Sequence, residues 1–331
     1  MLDLDRLERI RFTAKPVLHD VIATAFLGPN YTLPPRVTID FEGEERIPDE
    51  PVIYLMNHTD RFNYMPFQYR LWRTRSRYTA TWVKGKYFEH PAMAWFMEKT
   101  NQLPTVSRGY IIARDVKNTL GRAPTAEEYA ALRALVNGAR QDDPDPAPAH
   151  LPDALLTAPR SILGRDFDPA RESYGEAIQG TFLRMMRQFT RLNERAHEVG
   201  LDIIIFPQGT RSICLSQGRI GAAEIALHLR ATIVPVGCNG SDTLYPGNSP
   251  WARPGRVVYR FGEPMRWDEL SEFAPPTPFE PFAPDDEARY RENFQALTDV
   301  VMDRINGLLD PPYQYSDDRA SDGTEGMARF L

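Results

Sequence analysis

Short apolar runs alternate with amphipathic stretches along most of the chain. Residues 51–56 and 201–206 are almost entirely apolar, which is typical of strands buried on both faces of a sheet. Residues 4–26 instead place apolar side chains mostly at helical spacing, which predicts an amphipathic helix with Pro16 as the candidate for a kink. The alternation of such segments predicts an α/β sheet with helices on its faces. The other predicted strands are 36–41, 78–83, 231–236 and 256–261, and the other predicted helices are 61–73, 87–99, 172–199 (a long polar helix), 218–230 and 286–309.

Two proline-rich segments, residues 142–159 and 275–284, interrupt the alternation. Proline has no backbone N–H and breaks regular elements, so we expect extended surface segments at both places. The first segment lies within a predicted insertion at about residues 111–171. The predicted domains are an N-terminal amphipathic helical segment (1–30), an α/β domain with the insertion (31–270), and a proline-rich linker, C-terminal helix and acidic tail (271–331).

Composition excludes several classes of protein. Hydrophobic residues make up 42% and charged residues 25% of the 331 residues, which is ordinary for a globular protein and excludes a disordered chain. No run approaches the ~18 apolar residues of a membrane-spanning helix. The two cysteines have no metal-binding spacing, and the charged start lacks the apolar core of a signal peptide. We therefore expect an unprocessed cytoplasmic protein without a metal or other cofactor.

The net charge of −6 conceals a basic region at residues 61–122, which holds twelve Lys and Arg residues against three acidic residues. Aromatic residues are interleaved with these charges, a combination that suits an anionic membrane surface or a phosphorylated ligand. The alternative is a solvated basic face with its aromatic residues in the core. Nucleic-acid binding is not expected, because the chain is acidic overall and has no nucleic-acid-binding motif.

Two polar loops, each directly after an apolar strand, hold the candidate chemistry. The first loop reads N-H-T-D-R-F-N at residues 57–63, and the second reads F-P-Q-G-T-R-S at residues 206–212. Ligands of α/β sheets bind where strands end in loops. Both loops therefore place polar side chains where a ligand would bind.

These loops resemble two motifs of the glycerolipid acyltransferase family, the glycerol-3-phosphate and lysophosphatidic acid acyltransferases. That family is marked by N-H-x4-D and F-P-E-G-T-R-S, and similar segments follow the family's order here at residues 103–108 and 233–236. The resemblance spans about residues 36–265 and implies a single mixed, mostly parallel sheet. Asn63 and Gln208 stand where the family has an aspartate and a glutamate, so two carboxylates have become amides.

The resemblance implies transfer of a fatty acyl chain from acyl-CoA or acyl carrier protein to a hydroxyl of a phosphate-bearing glycerolipid or precursor. This is the activity of a 1-acylglycerol-3-phosphate O-acyltransferase in phospholipid biosynthesis. His58 would be the general base that takes the proton of that hydroxyl. Asn63 would orient its ring. Asp60 would either supply the missing carboxylate or, the preferred interpretation, cap the helix that follows.

The second loop would bind the substrate. Arg211 is the candidate for the phosphate, because a guanidinium offers two parallel N–H donors. Gly209 would let the backbone approach the ligand, and Thr210 and Gln208 would line the same loop. Arg108 is an even choice between a phosphate contact and an ordinary surface arginine. The implied partners are a lysophospholipid or glycerol phosphate acceptor and an anionic membrane, with the protein peripheral on the inner face of that membrane.

Two other functions stay open. A family member that has lost turnover through its two amides would act as a lipid- or acyl-binding protein. A thioester hydrolase would use His58 to activate water. The intact set of His58, Gly209, Thr210 and Arg211 favours the acyltransferase, because a decayed site has no reason to keep these residues together.

Overall fold

The computed structural model describes residues 1–34, 36–139 and 151–321, and its main element is a mixed sheet. The strands are β1 (Val37–Glu42), β2 (Ile53–Met56), β3 (Thr79–Lys84), β4 (Leu103–Thr105), β5 (Arg160–Ile162), β6 (Arg165–Phe167), β7 (Asp202–Ile205), β8 (Ile233–Asn239) and β9 (Gly255–Phe261). Seven of them form one sheet in the order β1-β9-β8-β2-β7-β3-β4, while β5 and β6 form a separate antiparallel hairpin.

Strand direction confirms the predicted fold class. The neighbours β8, β2, β7, β3 and β4 all pair in parallel, whereas β9 pairs antiparallel with β8 and parallel with β1. Ile53 at the start of β2 lies between Ile203 of β7 and Ile233 of β8. The carboxyl ends of β2 and β7 therefore lie side by side at one edge of the sheet.

Helices cover both faces of the sheet. Along β2, Ile53 and Leu55 face one apolar cluster while Tyr54 and Met56 face another, as the two-residue period of a strand requires. The helices are α1 (Leu4–Arg9), α2 (Val17–Ile22), α3 (Gly28–Thr32), α4 (Tyr64–Arg75), α5 (Pro91–Lys99), α6 (Arg108–Leu120), α7 (Ala126–Ala139), α8 (Asp153–Thr157), α9 (Tyr174–Glu198), α10 (Gly221–Leu229), α11 (Ser241–Leu244), α12 (Trp267–Leu270), α13 (Pro284–Arg289) and α14 (Arg291–Gly307).

The predicted insertion contributes to the core. α6 and α7 pack against α9, and Leu132, Val136 and Leu155 are completely buried. The expectation of an extended surface segment is therefore wrong for residues 151–159, which contain α8, and residues 142–150 lie outside the described residues. In the second proline-rich segment, residues 275–283 lack regular structure as expected, although Phe282 is buried, and α13 begins at Pro284.

The single helix predicted for residues 4–26 is divided in the structure. α1 ends at Arg9 and α2 begins at Val17, directly after Pro16. Proline disfavours helical geometry in the residue before it, so no helix runs through Lys15 into α2, and residues 10–16 separate the two helices. A turn of π-helix, Ala23–Leu27, continues α2. Across the described ranges, none of the helices has the length and apolar character needed to cross a membrane.

Candidate active site

Two loops meet at the carboxyl edge of the sheet, and His58 joins them. We call residues 57–63 after β2 the histidine loop and residues 206–216 after β7 the arginine loop. The His58 backbone N–H donates to Oε1 of Gln208 at 2.9 Å, and the Ser212 N–H donates to the His58 carbonyl oxygen at 2.9 Å. Both peptide groups of His58 are thus fixed by the neighbouring loop.

The His58 ring is oriented by two contacts. Its Nδ1 lies 3.2 Å from Oδ1 of Asn63, and its face stacks on Phe206 with the ring centroids 4.1 Å apart. Because an amide oxygen only accepts hydrogen bonds, Nδ1 carries the proton and Nε2 is left with a free lone pair. This is the tautomer that a general base at Nε2 requires.

His58 is neutral at physiological pH. Burial of the ring lowers the pKa of His58 to about 3, and the hydrogen bond with Asn63 opposes this shift. The positive charges of Arg211 and Lys84 lower the same pKa further, because they repel an imidazolium. His58 is therefore an unprotonated base whose charged form finds no carboxylate at Asn63.

Basic side chains gather beside the ring. Arg211 is exposed on the arginine loop, and Lys84 ends β3, the strand next to β7. Burial lowers the pKa of Lys86, and the nearby charges of Arg211 and Arg61 lower it further. We call Arg61, Lys84, Lys86 and Arg211 the basic cluster. Lys84 is not among the site residues predicted from sequence, although its place at a strand end next to the two loops was a usable signal.

Asn57 anchors the histidine loop, a role that sequence reasoning missed. Its Nδ2 donates to the carbonyl oxygen of Cys238 at 2.9 Å, and the Cys238 N–H donates to its Oδ1 at 2.7 Å. Cys238 lies on β8, on the other side of β2 from the arginine loop. The side chain of Asn57 thus makes two hydrogen bonds to the backbone of β8 just beyond the last residue of β2. The sequence shows that Asn57 directly precedes His58, but it does not show that Cys238 is its partner.

Both carboxylate oxygens of Asp60 accept hydrogen bonds from its own loop. Its Oδ1 accepts the Phe62 N–H at 2.7 Å, and its Oδ2 accepts the Thr59 hydroxyl at 3.0 Å. Burial raises the pKa of Asp60, and these hydrogen bonds oppose that shift. α4 begins at Tyr64, later than the predicted start, so Asp60 stabilises the turn before the helix rather than the helix end itself.

The arginine loop depends on a glycine. Gly209 has φ +68°, and a Cβ there would lie 2.9 Å from Cδ of Arg219. Thr210 and Gln208 are buried, whereas Arg211 points its charge to the surface. The loop therefore exposes one cation from a tightly packed backbone.

Arg108, the remaining candidate, is placed against α9. Its Nε donates to Oε1 of Gln179 at 2.6 Å, and its guanidinium lies 4.0 Å from the centre of the Phe182 ring. Both partners belong to α9, the long helix on one face of the sheet. The structure thus brings His58, Asn63, Gln208 and the arginine loop together and gives Arg108 partners elsewhere.

The sequence model of the Acyltransferase family matches residues 38–138, a range that includes the histidine loop. A 1-acyl-sn-glycerol-3-phosphate acyltransferase of Cocos nucifera is 35% identical over 77 residues. Residues 38–138 thus match the Acyltransferase family, and part of the chain is similar to a 1-acyl-sn-glycerol-3-phosphate acyltransferase. The aligned stretch makes up 22% of this chain and 24% of the coconut protein, so the match spans about a quarter of that relative.

A solved structure gives a further comparison. The crystal structure of the 1-acyl-sn-glycerophosphate (LPA) acyltransferase PlsC from Thermotoga maritima overlays with a TM-score of 0.37 and 16% sequence identity. The overlay covers 91% of this chain and 78% of that protein. The fold class of this chain follows from the strand order described above.

The C-terminal region, which lies outside the acyltransferase resemblance, supports the arginine loop. Residues 310–319, here called the C-terminal strap, run beside that loop. The Leu215 N–H donates to the Tyr313 carbonyl oxygen at 2.9 Å, and the Gln217 N–H donates to that of Arg319 at 3.3 Å. The beginning of the predicted acidic tail is therefore packed on the site, while residues 322–331 lie outside the described residues.

Removal of residues 312–331 is expected to loosen the arginine loop. The amides of Leu215 and Gln217 lose their acceptors, so their hydrogen exchange should become at least roughly tenfold faster. Hydrogen–deuterium exchange with mass spectrometry measures this directly. A truncation after Ser321 keeps the strap contacts and is the matched control. Equal protection in both truncated proteins would show that the strap does not hold the loop.

Proposed function

We propose that this acyltransferase moves a fatty acyl chain from acyl-CoA or acyl carrier protein to a hydroxyl of a lysophospholipid or glycerol phosphate. The observation that carries the proposal is the neutral, oriented His58 beside the basic cluster. A base for a hydroxyl and cations for a phosphate are what an acceptor with both groups requires. The site residues are thus assigned from their chemistry, with His58 as the catalytic base.

The reaction follows from the proton on Nδ1. The acceptor oxygen attacks the thioester carbonyl while Nε2 of His58 takes the hydroxyl proton. The tetrahedral intermediate then collapses, the C–S bond breaks, and the imidazolium gives its proton to the leaving thiolate. Asn63 holds the ring in place throughout but carries no charge to stabilise the imidazolium.

The acceptor's phosphate supplies part of the negative charge that carboxylates at positions 63 and 208 would supply. The positive charges of Arg211 and Lys84 lower the pKa of His58. A bound phosphate dianion offsets these charges, and so raises the basicity of His58 when the acceptor is in place. This coupling favours a phosphate-bearing acceptor over water. It is the reason to rank acyl transfer above thioester hydrolysis.

Replacing His58 by alanine is expected to lower kcat for acyl transfer by roughly a hundred- to ten-thousandfold, the usual contribution of a general base. In the wild-type protein, kcat/KM should stay flat from pH 7.5 to 5, since the pKa of His58 lies at about 3. A histidine with the ordinary pKa of about 6.5 would lose roughly thirtyfold over that range.

The test is a pH–rate profile with an acceptor whose own charge is constant over the range. His90→Ala is the matched control, because His90 is exposed and caps no helix with its side chain. Turnover at the wild-type rate in His58→Ala would show that His58 is not the catalytic base.

Replacing Arg211 by lysine is expected to raise the KM for the acceptor roughly ten- to a hundredfold, the effect of losing one charge-assisted hydrogen bond to phosphate. The KM for the acyl donor should change little. Steady-state kinetics with each substrate varied in turn separates the two, and Arg195→Lys, exposed on α9, is the control. A defect confined to the donor would move Arg211 to the thioester side of the site.

Membrane attachment is the second part of the proposal. The charge of residues 61–122, from which it was first inferred, no longer supports it by itself. Five of the eight arginines at residues 61–122 are ion-paired with acidic side chains, and most of the interleaved aromatic rings are buried or half-buried. The paired arginines are Arg70, Arg75, Arg77, Arg114 and Arg122. The charge excess of this region is therefore not simply available to a membrane.

Exposed tryptophans near the site support peripheral binding instead. Trp95 is 54% exposed and Trp251 is 61% exposed. Arg61 contacts the segments that lead to both tryptophans. Its guanidinium lies 5.5 Å from the centre of the Tyr87 ring, and its Nη1 is 3.4 Å from Oδ1 of Asn248. We place the membrane at this edge of the sheet, on the inner face of the cell membrane, with the tryptophans in the headgroup layer.

The double variant Trp95→Ala/Trp251→Ala is expected to bind anionic vesicles roughly tenfold or more weakly, since each indole gives up about 1 kcal/mol or more of burial. Co-sedimentation with vesicles of anionic and of neutral lipid measures the effect. Val199→Ala is the control, because Val199 is exposed just before β7, at the opposite edge of the sheet. Equal binding by the double variant and the control would show that these tryptophans do not bind the membrane.

A further inference from the structure

We propose that Tyr313 of the C-terminal strap is a positioning residue for acyl transfer, because it holds together the two segments that flank the histidine loop. The claim deepens the proposed function and rests on it for its effect on turnover. It gives a role in the reaction to a part of the chain that lies outside the stretch matched by the Acyltransferase family model.

Three segments follow neighbouring parallel strands at the carboxyl edge of the sheet. The histidine loop follows β2, the central strand of the three. The arginine loop follows β7 on one side of it, and α11 follows β8 on the other side. The position of the histidine loop therefore depends on the spacing between the arginine loop and α11.

Tyr313 contacts both flanking segments, each through a different group. Its backbone carbonyl oxygen accepts the Leu215 N–H of the arginine loop at 2.9 Å, and its phenol donates to Oδ1 of Asp242 on α11 at 2.7 Å. Burial and the hydrogen bond with Asp242 raise the pKa of Tyr313, so the phenol keeps its proton and remains a donor. One residue thus joins the arginine loop to α11.

On the arginine-loop side, a short path of contacts leads to His58. Nε2 of Gln208 lies 3.4 Å from the carbonyl oxygen of Cys214 and 3.2 Å from Oγ of Ser216. These two residues flank Leu215, the residue that the strap holds. Oε1 of the same Gln208 accepts the His58 N–H. A displacement of Leu215 is therefore passed through Gln208 to the backbone of His58.

On the α11 side, the path runs back along β8. Cys238 near the end of β8 holds both ends of the Asn57 side chain, and Asn57 directly precedes His58. Burial and, to a smaller extent, the nearby charge of Asp242 raise the pKa of Asp60 in the histidine loop. α11 thus lies beside the histidine loop, and β8 is bonded to it.

Hydrogen bonds and short stretches of chain close a ring of contacts, and the bond between the phenol and the carboxylate completes it. The ring runs through His58, Gln208, Leu215, Tyr313, Asp242, Cys238 and Asn57. Loss of the phenol opens the ring away from His58 and changes none of the residues assigned to the site. An effect on catalysis would then report the position of His58.

The test compares Tyr313→Phe with Tyr315→Phe in the full chain. Each change removes one phenol from the strap and keeps the backbone contacts. The phenol of Tyr315 lies beside Asp303 of α14, so its loss leaves the ring around His58 intact. The strap stays attached in both variants, because the Asp310 N–H still donates to Oδ1 of Asn239, a bond of 2.7 Å.

Hydrogen–deuterium exchange of residues 57–63 reports the effect without any need for turnover. We expect this exchange to become roughly fivefold or more faster in Tyr313→Phe and to stay unchanged in Tyr315→Phe. A strap with a purely structural role would alter exchange at its own contacts and leave the histidine loop as it is.

Kinetics then connect the ring to the reaction. We expect kcat to fall roughly tenfold in Tyr313→Phe and in Asp242→Ala, since each loses the same hydrogen bond to a charged group. The double variant should be no slower than either single variant, because both changes remove one shared interaction. Asp242→Asn should stay within about threefold of the wild type, since an amide oxygen still accepts from the phenol.

Three outcomes overturn the proposal: histidine-loop exchange that is equal in the two tyrosine variants, an unchanged kcat in Tyr313→Phe, or losses that add in the double variant. If melting temperatures show that Tyr313→Phe does not fold, Asp242→Ala and Asp242→Asn provide the same comparison. If the wild type acylates no acceptor, the proposed function fails, and the exchange rates alone decide the role of Tyr313.

Discussion

The parallel pairing of β2 with β7 places the histidine loop beside the arginine loop, and the chemistry of the site depends on that constraint. Parallel neighbours end at the same edge of a sheet, so the histidine loop and the arginine loop are adjacent. Hydrogen bonds with Gln208 and Ser212 then fix both peptide groups of His58. Asn57 fixes the other side of the histidine loop to β8. On this fixed backbone, Asn63 and the stack on Phe206 orient the ring.

In the proposed reaction, the protein supplies positive charge near His58 and the substrate supplies negative charge. Within the site, the histidine is neutral and its orienting partner is neutral, while the charges of the basic cluster are positive. Such a site does not stabilise an imidazolium by itself. In the proposed reaction, a phosphate-bearing acceptor would bring the negative charge that the two amides lack, so His58 would become a stronger base as the acceptor binds. The proposed reactivity would then depend on the presence of the correct acceptor.

The fold class and the two site loops were predictable from sequence, because strands buried on both faces leave apolar runs and polar motifs follow them directly. The run at residues 201–206 gives β7 (Asp202–Ile205), and the run at residues 51–56 gives β2 (Ile53–Met56). α6 and α7 were missed, because α9, the helix against which they pack, lies further along the chain. The anchor of Asn57 on Cys238 and the contact of Arg108 with α9 also depend on partners distant in sequence, which no local pattern shows.

The most direct test of the acyltransferase account is a mass-spectrometric product screen. Purified protein is incubated with acyl-CoA or acyl carrier protein donors and a panel of lysophospholipids and glycerol phosphate, beside the His58→Ala variant. The account predicts an acylated, phosphate-bearing product that forms with the wild type and not with the variant. Free fatty acid as the sole product would show a hydrolase, and a complete absence of product from every donor and acceptor would contradict catalysis by this site.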